Sequence, residues 1–534
     1  MAAQPFPVRK ATTNFGAPSF QDNRTQWDTT LGIFEGNLKQ VASEGNEKST
    51  QRHVERNQLL PRDRIALLLD ADSPFLELGA FAGFGVEGSN SCANIIAGIG
   101  LVSGKPCLLM SHIPTQSGGA WNELTVLKVN RIMEIGMENN LPLISLVQSA
   151  GVFLPQQFRV FHKGGQLFRD LAIRSQQGIP SCAIVFGPST AGGAYHPALS
   201  DYTIFVKDQA QVFLGGPPLV KMATGETIGA EELGGAKVHA TRTGLADQMA
   251  VDEFDAIRKA RLWMATLRVS RSHLPSTTPM EPRYSAEDIL SLVNCDIRKP
   301  FDMREVLLRI VDDSRLAEFK PEYGRNMLTT WAHIHGFRVG IVANQTPVIH
   351  VQEAVKAAQF IRLCNQEIMP IIFLHNVTGF MVGPKAEHSA IIKTGAQLVS
   401  AVSCSKVPHI SIILGASYGA GNYAMCGRSY RPRFLFTWPT GRCSVMGPDQ
   451  LAGVMETIKT KGGSGAPSEA IKAELQKLRD DALRDSDCYS TSSMLIDDGV
   501  IDPRDTRDVL GMCLDVVQLP EVANTQSFRS LARI

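Results

Sequence analysis

Three things are scarce in this 534-residue chain: paired cysteines, long apolar runs and an imbalance of charge. Its ten cysteines include no C-x-x-C pair, which argues against a zinc site or disulfide framework and fits a reducing compartment. The longest apolar stretch, Leu141 to Pro155, is broken by Gln148 and Gly151, so no membrane span is expected. Lys plus Arg total 53 against 52 for Asp plus Glu, leaving no basic surplus to attract nucleic acid or an anionic membrane. The H-E-x-x-H and Walker A patterns are missing too, and no metal site is expected.

What is present is a soluble balance, 44% apolar and 20% charged, in a length that predicts two domains. Residues 1–21 hold Arg9, Lys10 and several hydroxyls with no acid before Asp22. They read as a flexible terminus and a thin match to a mitochondrial presequence. Leu31, Phe34, Leu38 and Val41 then mark one face of a helix, and a second helix opens near Pro61. Ile95 to His112 reads as two paired strands, and Leu124 to Met137 as the helix after them.

The second half repeats the first. Leu141-Pro-Leu-Ile-Ser-Leu-Val147 matches Met369-Pro-Ile-Ile-Phe-Leu374, and the strands opening at Cys182 and His409 follow at nearly equal distance. Tyr202–Val206 answers Arg433–Thr437, and Gln211–Gly215 answers Arg442–Gly447. Four elements in one order point to two homologous βα domains in tandem, with parallel sheets covered by helices. The polar, proline-bearing stretch Ser270 to Tyr284 is the natural boundary, and a charged helical insertion is expected near Glu469 to Arg484.

In each half one strand runs into glycines: Thr190-Ala-Gly-Gly-Ala-Tyr195 after Cys182–Gly187, and Gly415-Ala-Ser-Tyr-Gly-Ala-Gly-Asn-Tyr423 after His409–Leu414. Bare backbone N–H groups at such turns can approach a developing oxyanion closely. Gly415-Ala-Ser-Tyr-Gly419 also fits the G-x-S-x-G nucleophile elbow, but no histidine follows His409 and Ser417 lacks a partner in that order. His196, His375 and His388 stand alone in the sequence, and Glu226, Glu231 and Glu232 decorate a helix start. Paired oxyanion turns suit a reaction with two carbonyl partners whose base arrives with a cofactor.

These motifs resemble the carboxyltransferase (β, non-biotin) subunits of biotin-dependent acyl-CoA carboxylases. Thr190–Tyr195, Phe213-Leu-Gly-Gly-Pro-Pro-Leu-Val-Lys221 and Thr224-Gly-Glu226 look like the N-domain; Asn376-Val-Thr-Gly-Phe-Met-Val-Gly383, Ser417–Gly427 and Ser444–Gly447 look like the C-domain. The C-domain forms are closest to the methylcrotonyl-CoA and geranyl-CoA carboxylase branch. The resemblance implies an α/β fold of two tandem crotonase-like (ClpP/crotonase) superhelix domains, residues 22–275 on the acyl-CoA side and 285–534 on the biotin side. It implies that Gly192 and Gly193 hold the thioester enolate and that Gly419 and Ala420 hold that of biotin. Gly421, Tyr418 and Phe380 would line the biotin site. Gly118, Gly119, Ala150, Gly151, Ala191 and Tyr195 would line the acyl-CoA site, with a further acyl-CoA-contacting stretch at about 315–344.

The chain has no Ala-Met-Lys-Met biotinylation motif and no ATP-grasp glycine loop. The resemblance therefore implies a biotin-carrying α partner, a homo-oligomer with a hexameric core, and work in the mitochondrial matrix or cytoplasm. Five positions depart from the family pattern: Gln148 and Ala150 in Gln-Ser-Ala-Gly-Val152, Gln156 for an arginine, and Ser389-Ala390 for Gly-Gly. They leave room for another branched or isoprenoid acyl-CoA, or for an inactive scaffold. A crotonase-type hydratase is the competing enzyme class, and it would need an acid near a turn; neither turn contains one.

Overall fold

The repeat becomes two sheets of the same plan. In the computed structural model, which describes residues 6–269, 272–459 and 469–520, the chain divides into two compact units. The first holds residues 37–270 and 493–495, the second residues 1–36, 271–492 and 496–534.

The first unit contains β1 (Leu76–Glu77), β2 (Ile95–Val102), β3 (Lys105–His112), α1 (Glu123–Glu138), β4 (Leu143–Ser149), α2 (Gln157–Gln176), β5 (Ser181–Thr190), β6 (Tyr202–Val206), β7 (Gln211–Phe213), β8 (Gln248–Ala250) and α3 (Glu253–Thr266). Strands β1 to β3 pair antiparallel and the remainder parallel, in the order β1-β2-β3-β4-β5-β6-β8, with β7 joined to β5.

The second unit contains β9 (Leu316–Glu318), β10 (Met327–Ile334), β11 (Phe337–Asn344), β12 (Val348–Ile349), α4 (Val351–Gln366), β13 (Ile371–Val377), β14 (Gly379–Phe380), α5 (Ile391–Ser403), β15 (His409–Tyr418), β16 (Phe434–Thr437), β17 (Arg442–Ser444) and α6 (Glu469–Asp485). Its sheet runs β16-β15-β13-β11-β10-β9 with β17 joined to β15. This is the expected tandem pair of crotonase-like α/β domains. Strands β4 and β13 are buried along their whole length, as parallel strands between helices must be.

The two units match residue by residue. Leu143 pairs with Ser181 and Ile371 with His409, and both ladders shift register two residues before their ends, after Val147 and after His375. Ser149 then meets Ser189, and Val377 meets Ser417, so these two serines hold one position in the repeat. Buried Lys128 on α1 donates from Nζ to Ile95 O at 2.5 Å, and buried Lys356 on α4 donates to Met327 O at 2.8 Å. Each lysine ties its helix to the first residue of the antiparallel hairpin. Carbonyl partners offset the desolvation that a buried ammonium would otherwise suffer.

Two features differ from the sequence reading. Of the flexible terminus expected for residues 1–21, residues 1–5 lie outside the described residues, and the part from Phe6 onward makes specific contacts. Thr12 N and Thr13 N donate to Glu305 Oε1 at 2.6 and 3.2 Å, and Arg315 donates to Phe6 O at 2.9 Å. Residues 22–36, counted with the first domain, lie in the second unit. The reason is Trp27, which is fully buried, donates to Val293 O at 2.7 Å and stands edge-on to Trp438.

Candidate active site: two glycine turns

Strand β5 ends at Thr190 and passes through Ala191–Ala194 into the short helix Tyr195–Ala198. Strand β15 ends at Tyr418 and passes directly into the short helix Gly419–Ala424. The first residue of the turn is left-handed in both units, with φ of +53° at Ala191 and +53° at Gly419. The opening N–H groups of a helix have no partner inside it. Here they sit on Ala191, Gly192 and Gly193 in one unit and on Gly419, Ala420 and Gly421 in the other. Ala191 and Ala420 are exposed, and Gly192, Gly193 and Gly419 partly so, which leaves both turns open to an oxyanion.

In the first unit the fold gathers the substrate-side residues. Ala150 N donates to Gly118 O at 2.9 Å, Ser149 Oγ to Gly119 O at 2.7 Å, and Thr190 Oγ1 to Ala150 O at 3.3 Å. Gly118 and Gly119 need their glycines, with φ of +66° and +69°. Gly151 N donates to Ser149 Oγ, which closes the loop. Tyr195 is half-exposed beside Phe168, and Ser189 Oγ donates to Gly193 O at 2.8 Å, bracing the turn from below.

Two of the departures from the family pattern, Gln148 and Gln156, have local reasons. Gln148 Oε1 accepts from Arg64 at 3.0 Å, while Arg64 makes two bonds to Glu253 at 2.8 and 2.7 Å. A neutral amide there leaves that buried ion pair balanced. Gln156 Oε1 accepts from Glu123 N at 3.0 Å and so caps α1. Ala390 holds φ of +65° at the start of α5, an angle glycine would adopt without strain.

In the second unit Gly421 is fixed by packing: a Cβ there would lie 2.6 Å from Val377 Cγ2 and 3.2 Å from Gly379 Cα. Tyr418 is buried, burial raises its pKa, and its hydroxyl has no partner among the described residues. It lines a cavity of about 610 Å³ with Thr378, Ala416, Gly447, Arg442 and, from α6, Arg479. The ring of Phe380 packs on Gly395 of α5. The stretch 315–344 is mainly strand, and its exposed residues are Pro321, Glu322, Tyr323, Arg325 and Arg338. Among the described residues no cluster of His, Cys, Asp and Glu could hold a metal, and no helix is long and apolar enough to cross a membrane.

One constellation escaped the sequence. His375 Nδ1 lies 2.9 Å from Ser417 Oγ, and Asn422 Nδ2 donates to the same oxygen at 2.8 Å. The motif rule looks for a histidine after the serine, whereas strand pairing brings this one from β13, earlier in the chain. Both His375 and Ser417 are fully buried, so no substrate reaches the hydroxyl and it is no nucleophile. Burial pushes His375 down to about 3, and also His196, whose ring nitrogens have no hydrogen-bond partner among the described residues, to about 3.

Comparison with known proteins shows what the chain is similar to. Residues 52–530 match the family model of the carboxyl transferase domain. A probable biotin-dependent acyl-coenzyme A carboxylase β2 subunit of Mycobacterium tuberculosis is 46% identical, over 95% of this chain and 98% of that one. The biotin-dependent 3-methylcrotonyl-coenzyme A carboxylase β1 subunit of the same organism is 44% identical, over 94% and 96%. The crystal structure of the β subunit of geranyl-CoA carboxylase from P. aeruginosa superposes with a TM-score of 0.89 at 38% identity, covering 96% of each chain.

Proposed function

The chain belongs to the carboxyl transferase domain family, and on that premise we propose that it moves a carboxyl group from biotin on a partner subunit to an acyl-CoA. The observation that supports this most is the pair of matching turns, one in each unit, each presenting small residues and a left-handed opening residue. Biotin, carried by the α partner, supplies the carboxyl group and the base that takes the substrate proton. The residues of the second unit fit such a group: Gly419 and Ala420 offer accessible N–H donors, and Gly421 admits no side chain. Gly192 and Gly193 hold the thioester oxygen as negative charge develops on it, which lowers the barrier to deprotonation. Gly118, Gly119, Ala150, Gly151, Ala191 and Tyr195 orient the acyl-CoA, while Tyr418 and Phe380 shape the biotin side.

The substrate we favour is 3-methylcrotonyl-CoA, giving 3-methylglutaconyl-CoA, with the proton lost from the vinylogous γ carbon. The geranyl-CoA carboxylase likeness favours a second reading, a longer isoprenoid acyl-CoA. Large apolar side chains stand exposed in both units, Leu154, Phe158 and Phe161 in the first and Val382, Ile392 and Val445 in the second. Copies of the chain would cover them in a homo-oligomer with a hexameric core. The compartment we assign is the mitochondrial matrix or cytoplasm; ten cysteines, all free, suit reducing conditions there.

The test is fixation of labelled bicarbonate into acyl-CoA by the chain reconstituted with a biotin-bearing α subunit and ATP. The chain alone should fix none, and ATP-dependent fixation by the isolated chain would reject the two-subunit reading.

A further inference from the structure

The two units can be compared position by position behind their turns. In the first, Ser189 stands opposite Val212 across the ladder, Val147 and Ala194 occupy the repeat positions next in register, and the Ser189 hydroxyl donates to Gly193 O at 2.8 Å, within its own turn. In the second, the same positions around Ser417 hold His375, Asn422 and Cys443. Ser417 Oγ lies 2.9 Å from His375 Nδ1 and accepts from Asn422 Nδ2 at 2.8 Å; Asn422 Nδ2 also reaches Cys443 Sγ at 3.6 Å. Three apolar residues in one copy of the fold are thus three polar residues in the other.

The apolar version folds, so the fold itself does not require the polar one. Burying imidazole, amide, hydroxyl and thiol carries a desolvation cost that Val, Ala and Val avoid. Asn422 belongs to the short helix whose opening residues are Gly419, Ala420 and Gly421. Its side chain links that helix to β15 through Ser417 and to β17 through Cys443, and Ser417 links on to β13 through His375. Three strands are thereby tied to one helix start.

We infer that His375, Ser417 and Asn422 are positioning residues that hold the Gly419–Gly421 amides at the angle the biotin-side carbonyl requires. None of the three touches substrate. Asn422 donates to Ser417, which leaves the serine proton free to point at Nδ1 of a neutral His375. The inference rests on the proposed carboxyl transfer and extends it, because it explains why only the biotin-side turn is braced in this way.

The first unit supplies the test variant. His375→Val, Asn422→Ala and Cys443→Val together copy Val147, Ala194 and Val212, a set already compatible with this backbone. The triple variant should keep the melting temperature of the wild type. Decarboxylation of free carboxybiotin should fall by about tenfold to a hundredfold, as for a misplaced catalytic group. The KM for acyl-CoA should stay unchanged while kcat drops. In the chain without biotin, amide exchange measured by mass spectrometry should quicken across residues 415–427 and nowhere in 185–200. His375→Gln, which keeps an acceptor for Ser417, should recover most of the rate relative to His375→Val. Unchanged decarboxylation and exchange in a folded triple variant would overturn the inference. So would equal losses with His375→Gln and His375→Val. A variant that melts early would show the set to be a structural requirement, which contradicts the claim that the fold can do without it. Wild-type chain inactive with its partner on every acyl-CoA would instead remove the carboxyl-transfer reading, and this inference with it.

Discussion

Ala191 and Gly419 hold the same left-handed backbone angle, φ of +53°, at the same place in two copies of one fold. Glycine adopts it freely, whereas an alanine there is strained by about 1 kcal/mol. The acyl-side turn therefore stores strain that the biotin-side turn does not. Ala191→Gly should raise the denaturant midpoint modestly, and Gly419→Ala should lower it further than this strain alone, since its Cβ would sit 3.0 Å from Val445 O. Chemical denaturation of both variants checks this. A stabilising Gly419→Ala would contradict it.

Gly421→Ala should destabilise by about 1–3 kcal/mol through overpacking against Val377 and Gly379. Gly192→Ala is the control, since its Cβ would find only Phe168 at an ordinary 3.6 Å. Calorimetry should separate the two, and equal melting temperatures would mean the close approach at Gly421 is not as described.

Stability should fall in mild acid. Burial holds His112 at about 4 and His196, His375 and His409 at about 3. These folded values lie below the unfolded value near 6.5, so between those limits the unfolded chain binds more protons. The histidine contribution is therefore fully present above pH 6.5 and is lost as pH drops toward 4 for His112 and toward 3 for the other three. At pH 5 each such histidine should have given up roughly 2 kcal/mol. Urea midpoints at pH 7.5 and 5 test this, and His196→Leu should flatten the dependence. An identical pH slope in that variant would sink the assignment.

The repeat, the hairpin at Ile95–His112 and the two turns were legible because each depends on periodicity or on glycine within a short window. The Ser417–His375 contact was not, because it joins adjacent parallel strands separated by a whole crossover helix, and the familiar motif expects another chain order. Trp27 shows the same limit: its helix was readable, but nothing local reveals that its indole bonds Val293. The sequence shows glycines at 118, 119 and 421, and the structure supplies the reasons they must be small, a positive φ in two cases and Val377 in the third.

Acyl preference should be graded. A hydrophobic pocket separates chains by only about 1–3 kcal/mol per methylene. With the reconstituted complex, kcat/KM for methylcrotonyl-CoA and geranyl-CoA should exceed that for propionyl-CoA and acetyl-CoA. Propionyl-CoA faster than both by about tenfold, about 1.4 kcal/mol, would reject the branch while leaving carboxyl transfer standing.

The division of labour between the turns is tested most directly by Gly193→Val, measured in both half-reactions. The added side chain would crowd Ser189 Oγ, 3.2 Å from the new Cβ, and displace an acyl-side N–H. Carboxylation of acyl-CoA should fall by about a hundredfold or more, while decarboxylation of free carboxybiotin proceeds at the wild-type rate and the melting temperature holds. Equal loss of both half-reactions in a folded Gly193→Val chain would contradict the assignment of one turn to each carbonyl.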